Sequence, residues 1–192
     1  MIKIKHQLIT KDFFIPQWKT EHLFLGTFNP EGGELVPYFY GRQKNFTWKI
    51  LNEIFTDEFR NSDSSLPADF FQKLKNKGVA CMDMIRSVEI SDQDANHVMG
   101  KGYSDSKIIN NKVVRVYNTL EINKVITANP GIRVYSTWGT GSRLSDWKKQ
   151  LSMIESPIIS LRSPSPVARV PKVTEKYPYV LEDWRAKIIL EL

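Results

Sequence analysis

Four short apolar runs stand out along the chain, at residues 22–27, 78–85, 133–137 and 157–161. Their apolar residues are continuous rather than alternating, which is typical of strands that are covered on both faces of a sheet. Helix-like segments lie between these runs. Strands that alternate with helices predict an α/β protein with a central, mainly parallel sheet of four strands, joined by right-handed crossovers.

The helix-like segments carry apolar residues three and four positions apart. In one of them, Val113, Val116, Tyr117 and Leu120 follow this spacing. Partial alternation over residues 1–8 predicts an additional edge strand. The predicted helices span residues 46–59, 67–77, 106–126, 142–153 and 177–192.

Length and composition narrow the class of protein. A chain of 192 residues, 41% of them hydrophobic, suffices for one globular domain and hardly for two, so residues 1–192 are expected to form a single domain. No apolar stretch approaches the roughly 18 residues of a membrane span, and residues 1–10 lack the apolar region of a signal peptide. The single cysteine, Cys81, excludes an intrachain disulfide. We therefore expect a cytoplasmic protein in a reducing compartment, with no membrane partner.

The net charge and the spacing of the polar residues give little information about the chemistry of the protein. The net charge of +6 permits an anionic partner such as nucleic acid, although many cytosolic proteins are equally basic. The three histidines show no metal-ligand spacing, and no dinucleotide fingerprint, P-loop or zinc deaminase signature is present. We therefore expect no metal and no cofactor. Asp83, in the second apolar run, either serves a crevice at the sheet edge or caps the next turn.

A turn of Asn, Pro and Gly residues follows the first apolar run. Asn29, held by Pro30, can hydrogen-bond a water or the edge of a base, while Gly32 and Gly33 let the backbone approach a ligand. The alternative is that these residues serve only the geometry of the turn.

An aromatic and basic cluster occupies residues 39–48, before a predicted helix. Tyr40 can stack on a base, which contributes about 1–3 kcal/mol. Arg42 and Lys44 can hold phosphates, with a solvated surface as the alternative. Asn45 is a candidate N-cap of the helix.

A stiff loop of alternating Ser and Pro, residues 163–169, follows the fourth apolar run. Its hydroxyls can bond a phosphate or a base, and Arg169 can enter the stack of bases; the alternative is a proline-stiffened connector. Because the carboxyl ends of parallel strands meet at one edge of a sheet, the Asn29 and Ser163 loops are expected to face one crevice. Such a crevice suits the reading and wedging of an extruded base.

Three segments resemble motifs of the uracil-DNA glycosylase superfamily, most closely its mismatch-specific uracil/thymine and hypoxanthine branches. Residues 25–30, LGTFNP, are similar to the first motif, a strand that ends in G-x-N-P or G-x-D-P. Residues 39–51, FYGRQKNFTWKIL, resemble the aromatic–Gly…Asn-x-x-Trp-x-Ile-Leu segment of the hypoxanthine branch. Residues 163–169, SPSPVAR, resemble the second motif, x-P-S-x-x-(A/S)-R.

The resemblance implies a three-layer α/β/α fold and a monofunctional DNA glycosylase of base-excision repair. Such an enzyme flips a deaminated or mismatched base and hydrolyses its N-glycosidic bond without a metal. By the same resemblance Asn29 positions the water, Tyr40 stacks on the base, and Ser163 takes the place that other branches fill with His, Asn or Met. Val167 and Arg169 form the wedge that fills the vacated stack.

The remaining expectations concern DNA contacts and the identity of the catalytic amide. Residues 26–29 are one residue longer than G-x-N, which leaves Asn45 as the rival catalytic Asn. A non-catalytic nucleic-acid-binding module of the same fold and a hydrolase for free nucleosides stay open as alternatives. The expected form is a monomer. The other expected contacts are Gly26, Phe28, Pro30 and Ser165 to the substrate, and Arg42 and Lys44 to DNA.

Overall fold

The computed structural model describes residues 1–57, 59–61, 65–99, 103–109, 113–138, 145–171 and 175–189. Within these residues the strands are Ile2–Lys5 (β1), His22–Gly26 (β2), Val79–Asp83 (β3), Ile85–Ile90 (β4), Val114–Tyr117 (β5), Arg133–Ser136 (β6) and Ile158–Ser160 (β7). The α-helices are Thr47–Phe55 (α1), Phe70–Asn76 (α2), Ala95–Val98 (α3), Thr119–Ala128 (α4), Ser145–Ser152 (α5) and Lys176–Ile189 (α6). Short 3₁₀ turns cover Asp92–Asp94 and Asp105–Ile109.

The central sheet has the strand order β3-β2-β6-β7, and all its neighbouring strands are parallel. This confirms the predicted α/β class and the four-stranded parallel sheet. The register sets Gly26 beside Asp83 and Leu25 beside Ser136. The last residues of β2, β3 and β6 therefore lie at one edge of the sheet.

Apolar side chains cover both faces of this sheet. On one face Phe24 stacks on Trp184 of α6, with ring centroids 5.6 Å apart, and Trp48 of α1 joins the same core. On the other face Leu25 packs in a core with Trp147 of α5. Each fully buried side chain of this size contributes about 1.5–3 kcal/mol. The arrangement is compatible with three layers, and it leaves the carboxyl edge of the strands as the place for polar loops.

A second sheet corrects three of the sequence predictions. Strands β1, β4 and β5 form a separate antiparallel sheet in the order β1-β4-β5. The predicted strand at residues 78–85 breaks after Asp83, and β4 turns into the second sheet. Residues 1–8 contribute the edge strand β1, as predicted, but it lies at the edge of this second sheet and not of the parallel one.

The predicted helix at residues 106–126 is wrong over its central part. Residues 114–117 form β5, which pairs with β4 through contacts such as Val88 with Arg115. The valines there satisfy both helical and alternating spacing, and pairing with β4 decides between them. Residues 142–144 and 190–192 of the other predicted helices lie outside the described residues. In the described part of the chain, no helix combines the length and the apolar character that crossing a membrane requires.

Candidate active site

The strand order places a topological switch point at the carboxyl ends of β2 and β6. From β2 the chain passes to β3 on one side and then to β6 on the other, and ligands of open α/β sheets bind at such a switch point. The Asn29 loop follows β2 and the Ser163 loop follows β7, so both loops start from this edge. They are linked through the segment that leads to α1, because Phe46 N donates to Pro164 O at 3.0 Å.

A buried carboxylate, Asp83, lies at the end of β3 and is held by two donors. Its Oδ2 accepts hydrogen bonds from His6 Nε2 at 2.7 Å and from Asn29 Nδ2 at 3.2 Å. The backbone N–H of Leu8 donates to His6 Nδ1 at 3.0 Å, so the ring proton resides on Nε2 and a neutral imidazole can donate to the carboxylate. The contact with Asp83 Oδ2 therefore fixes the orientation of the Asn29 amide.

The loop after β2 supplies a donor to a second carboxylate as well. Thr27 Oγ1 donates to Asp105 Oδ2 at 2.7 Å. Phe28, which lies between Thr27 and Asn29 in the sequence, is only 2% exposed. Burial raises the pKa of Asp105 to about 6, and the Asp83 charge adds to the rise, while the Thr27 hydrogen bond and the Arg42 charge oppose it. Thr27 and Asn29 thus point to two different carboxylates from one short loop.

Gly26 is required by how closely these groups approach. A Cβ on this residue would lie 2.2 Å from Asp83 Oδ1 and 3.0 Å from the Tyr40 hydroxyl. Because Gly26 has no side chain, the Asp83 carboxylate and the Tyr40 phenol can both approach the backbone at the end of β2. Pro30 anchors the far side of the loop through a bridge to His6.

Tyr40 lies at the switch point in a left-handed backbone conformation, with φ of 55°. Thr137 Oγ1 donates to Leu25 O, so its hydroxyl accepts the hydrogen bond from the Tyr40 hydroxyl, at 3.0 Å. Burial raises the pKa of the Tyr40 phenol, which keeps it protonated. A non-glycine residue in this conformation costs about 1–2 kcal/mol. The surrounding contacts therefore hold the ring of Tyr40 where β2 and β6 end.

Arg42 and Lys44 have different surroundings although both were predicted to contact DNA. Arg42 Nη1 donates to Tyr103 O at 3.1 Å, and its guanidinium lies 5.4 Å from the centre of the Tyr103 ring. Arg42 thus faces the Asp105 side of the site. Lys44 is exposed.

Asn45 closes the first turn of α1. Its Oδ1 accepts hydrogen bonds from Thr47 N at 2.9 Å and from Thr47 Oγ1 at 2.7 Å. The helix itself begins with Phe46 as its N-cap, one residue later than predicted. Asn45 is therefore not the N-cap that the sequence predicted, although its amide oxygen accepts hydrogen bonds from Thr47, the first residue of α1.

The Ser163 loop presents an apolar side chain on a clamped turn. Ala168 N donates to Ser165 O at 3.1 Å, which closes a turn around Pro166 and Val167. Lys176 of α6 donates to the carbonyls of Pro166 and Ala168, and these two contacts hold the turn against α6. Val167 is 81% exposed at its apex.

The rest of this loop borders a cleft of about 360 Å³. Ser163 Oγ accepts a hydrogen bond from Ser165 N at 3.3 Å. The cleft is lined by Trp138, Ser163, Arg169 and Lys187 among others, but not by Asn29 or Tyr40. The structure therefore brings the two loops to one edge of the sheet, and it sets Asn29 with Asp83 rather than in the cleft beside Ser163.

Sequence reasoning missed three members of this polar cluster. The sequence indicates only that His6 and the other histidines lack metal-ligand spacing, and no motif points to Thr27 or Asp105 as a member of the site. Their proximity depends on the second sheet and on the loop before β5, for which no local sequence signal exists. In the described part of the chain, no group of three or more His, Cys, Asp or Glu side chains is arranged to hold a metal ion.

Comparisons of this chain with models of known protein families, with curated proteins and with solved structures found no match. The assignment of function therefore depends on the geometry of the site and on the sequence motifs.

Proposed function

We propose that the protein is a DNA glycosylase that extrudes a deaminated or mismatched base and hydrolyses its N-glycosidic bond. One observation carries the proposal: an exposed apolar side chain, Val167, lies on a turn held by Lys176, at the same sheet edge as the half-buried Asn29 and its partner Asp83. Extrusion requires a wedge that replaces the departing base and a polar pocket that receives it. The three motifs that resemble the uracil-DNA glycosylase superfamily lie at this edge and support the same function.

The polar cluster suits the chemistry of this bond. Cleavage builds positive charge on the sugar and negative charge on the departing base. The fixed charge of Asp83 stabilises the oxocarbenium-like sugar, since preorganised charges act strongly in a water-poor site. Asn29 Nδ2 donates to Asp83, so its Oδ1 is the atom that accepts a hydrogen bond from a water and orients it. Tyr40 provides the stacking face for the base.

The Ser163 loop and the exposed cations hold the DNA. Val167 enters the stack, and Arg169 beside it neutralises a neighbouring phosphate. Ser163 and Ser165 supply hydroxyl and backbone groups to the extruded nucleotide. Lys44 adds a second phosphate contact, since Phe46 two residues later is bonded to Pro164 of the loop.

Release of free base tests this function. Wild-type protein in excess over duplexes that contain uracil, hypoxanthine or a mismatched base should produce abasic sites on at least one of them. Asn29→Ala should lower the single-turnover rate about 100-fold, because misplacement of the attacking water has an effect of that size. Asn76→Ala, an exposed Asn at the end of α2, is the matched control and should keep the wild-type rate.

The same assay assigns the catalytic amide. Asn45→Ala should mainly destabilise the start of α1, by about 1 kcal/mol, because it removes the acceptor of two hydrogen bonds from Thr47. A rate loss larger for Asn45→Ala than for Asn29→Ala would transfer the water-positioning role to Asn45. No abasic product from any duplex would contradict the proposed function.

A DNA-binding module without catalysis is the second candidate. The observation that favours it is that the 360 Å³ cleft beside Arg169 is not lined by Asn29. Such a module would bind lesion DNA with a steep dependence on salt and release no base. Asn29→Ala would then leave both its binding and its lack of activity unaltered.

A further inference from the structure

Asp105 is a carboxylate at the site for which the mechanism above has no role. It opens the 3₁₀ turn Asp105–Ile109 and faces the loop after β2, where Thr27 Oγ1 donates to its Oδ2 at 2.7 Å. The loop after β2 also carries Asn29, which is bonded to Asp83. Asp105 and Asp83 are thus both bonded to the loop that carries Asn29, the residue proposed to orient the water.

The groups around Asp105 come from four elements. Thr27 faces it from the loop after β2, Asp83 from the end of β3, Arg42 from the segment before α1, and Tyr103 from its own segment. One anion, Asp83, and one cation, Arg42, therefore act on it in opposite directions. Thr27 and Tyr103 act on Asp105 through hydrogen bonds, and both of these lower its pKa. Burial, these hydrogen bonds and the two charges together set the protonation of Asp105.

We propose that Asp105 is the general base of the glycosylase reaction, a role that depends on the function proposed above. The bond between the sugar and the base breaks, and its electron pair leaves with the base. The water oxygen bonds to the sugar carbon, and the water proton passes to the Asp105 carboxylate. Protonation of the departing base from solvent and loss of the proton from Asp105 complete a balanced hydrolysis.

Three observations distinguish Asp105 from its neighbours. The amide of Asn29 orients water but cannot take its proton. Asp83 has both of its donors on Oδ2, and its side chain is only 4% accessible. Burial brings the pKa of Asp105 to about 6, close to the pH at which a base both stays ionised and accepts a proton effectively.

The dependence of the single-turnover rate on pH tests this role. For wild-type protein the rate should rise with pH through about 6, because only the ionised carboxylate accepts a proton. Asp105→Asn should lower the rate about 100-fold and remove this rise, within the usual range for loss of a general base. Thr27→Val should move the rise to higher pH, because it removes a hydrogen bond that lowers the pKa of Asp105. Asp92→Asn, an exposed carboxylate that faces the N-terminus, is the control for the change in net charge.

The outcomes separate this role from the proposed function. If Asp105→Asn releases base with an unchanged rate and pH profile, Asp105 is not the base although the protein is a glycosylase. If Asp105→Asn does not fold, Thr27→Val decides, and an unshifted profile in that variant overturns the role. If the wild-type protein releases no base from any duplex, the proposed function fails and the role of Asp105 fails with it.

Discussion

Asp105 illustrates how a single residue of the site opposes the stability of the fold. Its pKa is raised by burial from 3.8 to about 6, so the folded state binds more protons than the unfolded state between these two values. The ionised side chain therefore costs stability fully above about pH 6, and this cost is relieved as the pH falls from about 6 to about 4. Residues that lower the stability of the fold are common in active sites. Asp105 is such a residue, and its partner Thr27 belongs to the same loop as Asn29.

Asp105→Asn should therefore stabilise the protein at neutral pH. The change in pKa corresponds to about 3 kcal/mol, and weakening of the Thr27 hydrogen bond offsets about 1 kcal/mol of it. We expect a gain of about 1–2 kcal/mol at pH 7.5, measured by urea unfolding, and a smaller gain at pH 4. A variant that is less stable than wild type at pH 7.5 would show that the charge of Asp105 is favourable in the folded state.

The element that we propose to contact DNA is the turn around Pro166 and Val167. Lys176 of α6 fixes two of its carbonyls, so the turn is rigid although its apex is exposed. A rigid turn enters a stack of bases with little loss of conformational entropy on binding. The exposed side chain of Val167 contributes little to the core and is accessible for the proposed wedge role.

Val167→Ser should leave the melting temperature unchanged, because the side chain is 81% exposed. Extrusion of a base from a duplex costs a few kcal/mol, and the wedge is expected to offset part of this cost. Without the wedge, the single-turnover rate on duplex DNA should therefore fall about tenfold. The rate on single-stranded DNA should stay within about twofold of wild type. Met153→Ser is the matched control, because Met153 is 49% exposed and follows α5, away from this turn. An equal loss on both substrates would contradict a wedge role for Val167.

The elements around the parallel sheet were predictable where local patterns determine them. Continuous apolar runs gave β2, β6 and β7 within about a residue at each end, and Asn29 and Ser163 follow such runs. Strand β5 was missed because its valines fit two periodicities and only pairing with β4 selects one. His6 and Asp105 were missed because tertiary packing, not a motif, brings them to Asp83 and Thr27.

At the scale of the whole molecule, charge and topology converge on one edge. The net charge of +6 permits an anionic partner, and exposed Lys44 and Arg169 belong to the segments at the carboxyl edge of the parallel sheet. The topological switch between β2 and β6 places the polar cluster at the same edge. The account therefore requires that DNA binds across this edge, with one nucleotide turned inward.

A crystal structure of the Asn29→Ala variant bound to a duplex with a hypoxanthine or uracil base tests this requirement most directly. The account predicts an extruded base against Tyr40 at the carboxyl ends of β2 and β6, with Val167 in the space that the base has left. A duplex bound to another face of the molecule, or one that keeps every base stacked at this edge, would contradict it.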